Sequence, residues 1–147
     1  MRITALKGAP AVFAAGVLVF SGLLLAAEKT PFASLANLAT ALTESDADGA
    51  LELFDSKMKT YPEVEQKLEA LTAQDDINCS IDIVTDEESE GLHKLDLDWF
   101  MQIKSQIDDS QLERRRVRVQ VEMRQLKGVW KITSLSPLSI FDPLQIH

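Results

Sequence analysis

A chain of 147 residues, 46% hydrophobic and 26% charged, has room for one domain of ordinary size and the composition of a globular one. Its formal charge of -8 excludes nucleic acid and anionic lipid surfaces as natural partners, because both are bound by Lys and Arg displacing counterions. With Cys79 the only cysteine and His93 and His147 the only histidines, the chain forms no internal disulfide and offers no Cys/His cluster to a metal.

Charge is unevenly placed. Arg2 and Lys7 are the only charged residues before Glu28, so the rest of the chain, with 13 bases and 23 acids, carries −10. Gly8 to Ala27 is uncharged, and Val12–Phe20 and Leu23–Leu25 are continuously apolar. Residues 1–27 therefore read as a signal peptide, with Ala26-Ala27 before Glu28 as the processing point. Leu25 is bulky for the position three before a cleavage site, and the uncharged run approaches the ~20 residues that span a bilayer. A retained membrane anchor is the alternative. Either way residues 28–147 form a single domain expected outside the cytoplasm, periplasmic or secreted, or held at the inner membrane with Arg2 and Lys7 inside. The membrane is met only through residues 8–27.

Beyond the polar link at Glu28–Pro31, Phe32, Leu35, Leu38, Ala39 and Leu42 recur at helical spacing. This predicts a first helix over Pro31–Thr43 with proline in its opening turn. Ser45-Asp46-Ala47-Asp48 supplies capping oxygens to a second helix through Ala50, Leu51, Phe54 and Met58. A calcium loop is excluded there, since Leu51 stands where its turn glycine belongs and no acid closes the loop. Tyr61-Pro62 breaks that helix and opens a third, with Val64, Leu68 and Leu71 on one face and Glu63, Glu65 and Glu69 on the other.

From Ile77 the apolar period shortens to two. Ile77, Cys79, Ile81 and Ile83 alternate with polar residues, and Thr85-Asp86-Glu87-Glu88-Ser89-Glu90-Gly91 follows as an acidic, soluble hairpin tip. Asn78-Cys79-Ser80 matches a glycosylation sequon in form but reads as strand. The next strand has Leu95, Leu97, Trp99, Met101 and Ile103 at odd positions, with Lys94, Asp96, Asp98, Phe100 and Gln102 between them. After a connection at Ile107–Ser110, Val117, Val119, Val121 and Met123 alternate with Arg114, Arg116, Arg118, Gln120 and Glu122. Lys127-Gly128 then turns the chain into Val129–Thr133. Such alternation describes an antiparallel sheet with one buried and one wet face. A pairing centred near Asp108 sets Asp98 opposite Arg118 and Lys94 opposite Glu122, both favourable. A two-residue Lys127-Gly128 turn sets Met123 opposite Ile132 and Gln125 opposite Trp130. Both hairpins keep their apolar residues on one face.

Helices first and a long-stranded meander after them predict an α+β fold, N-terminal helices packed on a curved antiparallel sheet. Ser45-Asp46-Ala47-Asp48-Gly49-Ala50-Leu51-Glu52-Leu53-Phe54 and Gly128-Val129-Trp130-Lys131-Ile132 carry a likeness that covers nearly everything after the leader. The first is similar to the acidic-capped second helix, and the second to the closing strand, of the nuclear-transport-factor-2-like superfamily, the cone-shaped fold shared with ketosteroid isomerase. The resemblance implies a cone between sheet and helices, where the superfamily's enzymes work, and pairing of subunits through the sheet. Its members include isomerases, dehydratases, transport factors and noncatalytic modules, so fold does not supply function.

By parity the inward side chains are apolar except His93, the candidate acid/base, which stands at the start of its strand. Its alternative is a rim histidine. Trp99, Met101, Met123 and Trp130, with Tyr61 at the mouth of the cone, are the candidate lining for a small apolar ligand, or simply core. Phe100, with Arg116 and Arg118 opposite, is a candidate interface anchor for a protein partner or a homodimer through the sheet. The Arg114–Arg118 run reads as a solvated ladder, not a nucleic-acid contact. No cofactor is implied. The leading expectation is a noncatalytic exported binding or interaction module. The alternative is a small isomerase- or dehydratase-like enzyme acting inside the cone with His93.

Overall fold

The computed structural model describes residues 2–4, 30–108 and 110–144; of the leader expected over residues 1–27 only Arg2–Thr4 is described, as a strand beside Ser80–Asp82, and the apolar stretch 8–27 lies outside the described residues. Among the described residues three helices precede the main sheet: α1 (Pro31–Thr43), α2 (Ala47–Leu51) and α3 (Tyr61–Gln74). A short strand β1 (Arg2–Thr4) and four further strands, β2 (Asp75–Ser89), β3 (Leu92–Ser105), β4 (Leu112–Leu126) and β5 (Val129–Ser136), form one antiparallel sheet in sequence order. A 3-10 turn at Leu138–Phe141 follows.

Local chemistry sets the helix starts. Thr30 caps α1 by accepting a bond from the Ala33 amide at 3.3 Å, with Pro31 at the first helical position. Asp46 caps α2 by accepting from the Gly49 amide at 2.9 Å. A Cβ at position 49 would lie 2.4 Å from the Asp46 carboxylate, so the close approach requires glycine. The second helix stops at Leu51 instead of running on to Met58. The Leu53 carbonyl accepts from Ile132 and the Asp55 amide donates to it, both at 2.8 Å, so Phe54 lies alongside β5 as a parallel bridge. The outer edge of β5 would otherwise leave backbone groups unpaired, and this segment gives up helix to satisfy them.

The strand registers follow the parity argument. Asp98 pairs with Arg118, Lys94 with Glu122, Met123 with Ile132 and Gln125 with Trp130. Both tight hairpins, Glu90-Gly91 and Lys127-Gly128, place two successive residues at positive φ, the geometry whose twist matches that of the flanking strands. Odd positions are buried: Leu97, Trp99, Met101, Ile103 and Val119 are fully inaccessible, as are Leu35, Leu38 and Leu42 of α1 and Leu68 and Leu71 of α3.

Two features depart from the sequence expectation. The stretch read as an acidic turn at Thr85–Gly91 is strand as far as Ser89. Between Ile83 and Thr85 the register against β3 slips by one, and Val84 is left half-exposed as a β-bulge. Beyond it the faces of β2 exchange, so Asp86 and Glu88 pair with Leu95 and His93 while Thr85 pairs with Asp96. Second, after a cis Ser136–Pro137 bond the C-terminal turn carries Ile140 and Phe141 into the core, both fully buried. The Phe141 ring meets Trp99 edge-on at 5.5 Å and Phe54 at 6.1 Å.

Candidate functional site

The interior of the cone is occupied. Trp99, Met101 and Met123, expected as a ligand lining or as core, are each fully buried, and the Phe141 ring packs edge-on against Trp99. Trp99 Nε1 donates to Cys79 Sγ at 3.1 Å, and burial pushes the Cys79 thiol up to about 12 against that bond, so it stays protonated. Asp75, at the start of β2, is also buried and its pKa is raised by burial, opposed by the Leu144 amide and by Arg115.

Arg115 is the odd member of the arginine run, and parity turns it inward while Arg114, Arg116 and Arg118 stay exposed. Its Nη1 donates to the carbonyls of Ile140 and Asp142 at 2.9 and 2.7 Å, and its Nε pairs with Glu113. Lys67 pairs with Asp142 from α3. Together they hold the segment that fills the cone. The odd position of Arg115 among inward residues was the available signal for this role.

A polar cluster forms at the rim, where the bulge turns β2 over. Asp86 Oδ1 lies 2.8 Å from His93 Nδ1, Glu88 Oε2 lies 3.6 Å from Nε2, and Trp130 packs edge-on to the imidazole at 4.9 Å. Sequence parity found His93 and missed its partners. The one hint was Ile83-Val84, two adjacent apolar β-branched residues that interrupt the alternation. Tyr61 is not part of this cluster; it lies half-buried in a separate cleft beside the β4–β5 hairpin.

On the outer sheet face the ion pairs run diagonally. Arg118 reaches Asp96 at 2.9 Å and Arg116 lies 3.7 Å from Asp98, although Asp98 and Arg118 are directly opposite. The Arg116 guanidinium carbon sits 5.6 Å from the centre of the Phe100 ring. An open cleft of about 470 Å³ on this face is lined by Thr85, Asp96, Gln120, Glu122 and Ser134. Asp96 Oδ1 is sealed beneath the surface without a hydrogen-bond partner among the described residues.

This architecture, three helices against a long antiparallel meander, is shared with solved structures. A conserved protein from Planctomyces limnophilus superposes with a TM-score of 0.66 at 11% identity, over 76% of this chain and 94% of that one. A nuclear transport factor 2-like superfamily protein from Salmonella enterica gives 0.60 at 9% identity, over 84% and 96%. The fold is nuclear-transport-factor-2-like. A ketosteroid isomerase-like protein from Erwinia carotovora atroseptica matches the same fold at 0.58 and 10% identity, over 70% and 88%. No family model matches the sequence, and no curated protein matches it. Among the described residues the space between helices and sheet is packed with apolar side chains. The polar chemistry lies at the His93 rim and on the outer sheet face.

Proposed function

We propose that the protein is a noncatalytic, exported interaction module that pairs with a second copy of itself through the outer face of its sheet. The observation that supports this reading is the buried aromatic cluster: Phe141 packs edge-on against Trp99 and Phe54 between helices and sheet, among side chains with no acid/base group. Export rests on the apolar run of residues 8–27 behind Arg2 and Lys7.

The outer face suits its own image. Acids stand on β3 (Asp96 and Asp98) and bases beside them on β4 (Arg114, Arg116 and Arg118). A two-fold axis between the facing sheets, parallel to the strands at the β3–β4 boundary, lays each row over its opposite in the partner. Phe100 sits amid these charges with Arg116 over its ring, the aromatic–arginine combination that anchors interfaces. Three strands of about 14 residues, rising about 3.3 Å per residue and about 4.8 Å apart, present on the order of 700 Å² per subunit, near the roughly 800 Å² per partner of a standard interface.

A second reading, an isomerase- or dehydratase-like enzyme using His93, draws on the 2.8 Å contact between Asp86 and His93, the pairing that orients an imidazole as a base. Native mass spectrometry of the full chain from its own host tests both. We expect a dimer at about 10 µM and a shift to monomer, with dissociation at least about tenfold easier, in Phe100→Asp. A wild-type monomer at about 100 µM overturns the pairing. A co-purifying small molecule converted by the wild type and not by His93→Asn replaces it with the enzyme.

A further inference from the structure

The sheet begins with a strand from the far N-terminus. Arg2, Ile3 and Thr4 stand opposite Asp82, Ile81 and Ser80 on the free edge of β2, and α1 packs alongside both strands. That pairing is incompatible with export. Cleavage after Ala27 takes Arg2–Thr4 away, and a retained anchor leaves them across about 30 Å of hydrocarbon from the domain. Resting on the export reading, we propose that the edge of β2 at Ser80–Asp82 is open in the exported protein and binds an extended, basic segment of a partner protein by strand addition. Arg2–Thr4 covers this edge only before export.

The backbone supplies the first argument. An edge strand turns part of its N–H and C=O groups away from the sheet, and these are satisfied by water or by another strand. Among the described residues β1 is the only strand on this edge, and it meets β2 at Ser80–Asp82 alone. Further along, the bulge at Val84 bends β2 and ends the regular edge. A strand added here sets one residue opposite Ile81, on the inner face where Ile81 is fully buried. Its two neighbours stand opposite half-buried Ser80 and Asp82 on the outer face.

Charge selects the occupant. β2 carries six acids and no base. On its paired side, Lys104 and Lys94 of β3 stand opposite Asp76 and Glu87. Asp82 instead stands opposite Asp98, acid facing acid, with Arg116 on the Asp98 side. A base on the other side of Asp82 offsets that repulsion, and Arg2 holds this register position in β1. A second copy of β2 would bring the same six acids to the edge and no base, so two such edges repel each other.

Protein recovered from the envelope of its own host tests the assignment through its mass and its binding of a capped peptide, Met-Arg-Ile-Thr-Ala-Leu-Lys, the sequence of residues 1–7. We expect a mass lacking residues 1–27, fast amide hydrogen exchange within Ser80–Asp82, and slowing there as one peptide binds per chain. Glutamate in place of the peptide's arginine should weaken binding by about tenfold or more. Asp82→Lys should reverse that preference with an unchanged melting curve. A full-length mass with those amides already protected overturns export and the opening of the edge together. A processed chain that binds no peptide, binds both peptides alike, or protects other amides instead overturns the strand site and leaves export standing.

Discussion

At the scale of single residues, the buried polar groups show what the fold tolerates. The indole N–H of Trp99 is satisfied by the Cys79 sulfur, so a large and a small inward side chain are fixed to each other across neighbouring strands. Asp75 is different. Its carboxylate is buried, and one oxygen accepts from the Leu144 amide at 3.1 Å. Burial raises its pKa above the ordinary value, so the folded chain holds that proton more tightly than the unfolded chain. Its contribution to stability is complete below the unfolded Asp value of about 3.9 and is lost as pH rises through the folded value. Asn in its place keeps an acceptor for Leu144 and mimics the protonated acid at every pH. Asp75→Asn is therefore expected to be the more stable form at neutral pH, with the gain closing as pH falls below about 4. Urea midpoints of both chains across that range check this, and a gain that is constant with pH contradicts it.

At the scale of elements, periodicity and one violation of it decide which chemistry meets. The odd–even rule held along β3 and β4, because each strand has one face on the helices and one in water, and a slip of one residue would bury its charges. Val119 is fully buried and its neighbour Gln120 exposed, opposite Asp96. Val119→Asp should cost several kcal/mol by burying an unpaired charge, whereas Gln120→Lys should stay within about 0.5 kcal/mol. Thermal unfolding of the two variants reads the difference, and equal losses contradict the assignment of faces. The bulge at Val84 is the violation. One extra residue carries Asp86 and Glu88 from the outer to the inner face, where they meet His93. The acidic run was legible in the sequence as charge but not as a partner for His93, since a bulge is set by how two strands pair and only weakly by the strand that bears it.

For the whole molecule, the decisive event is the return of the C-terminus into the cone. Phe141 packs on Trp99 and Phe54, and the Arg115 guanidinium holds that turn by its carbonyls. Nothing in the local pattern after Pro137 marks Ile140 and Phe141 as the filling of a space built some 40 to 90 residues earlier, by segments at Trp99 and Phe54. Phe141→Ala should destabilise the fold by about 3–5 kcal/mol and open a dry cavity lined by Trp99. Denaturant unfolding gives the loss, and uptake of xenon or benzene by the variant alone shows the cavity. An unchanged midpoint would mean that the turn does not complete the core.

The amino-acid order by itself determined the class of fold, helices followed by an antiparallel meander, the inward faces of β3 and β4 and the registers of two hairpins. Those properties are local or pairwise: a period of two or 3.6, a capping oxygen, a two-residue turn. Tertiary structure alone decided that Trp99, Met101 and Met123 are core, that Arg115 is a clamp and that His93 has carboxylate partners. Each of these depends on where distant segments fill the same volume or slip against one another, and close packing of that volume leaves no trace in the period of any one strand.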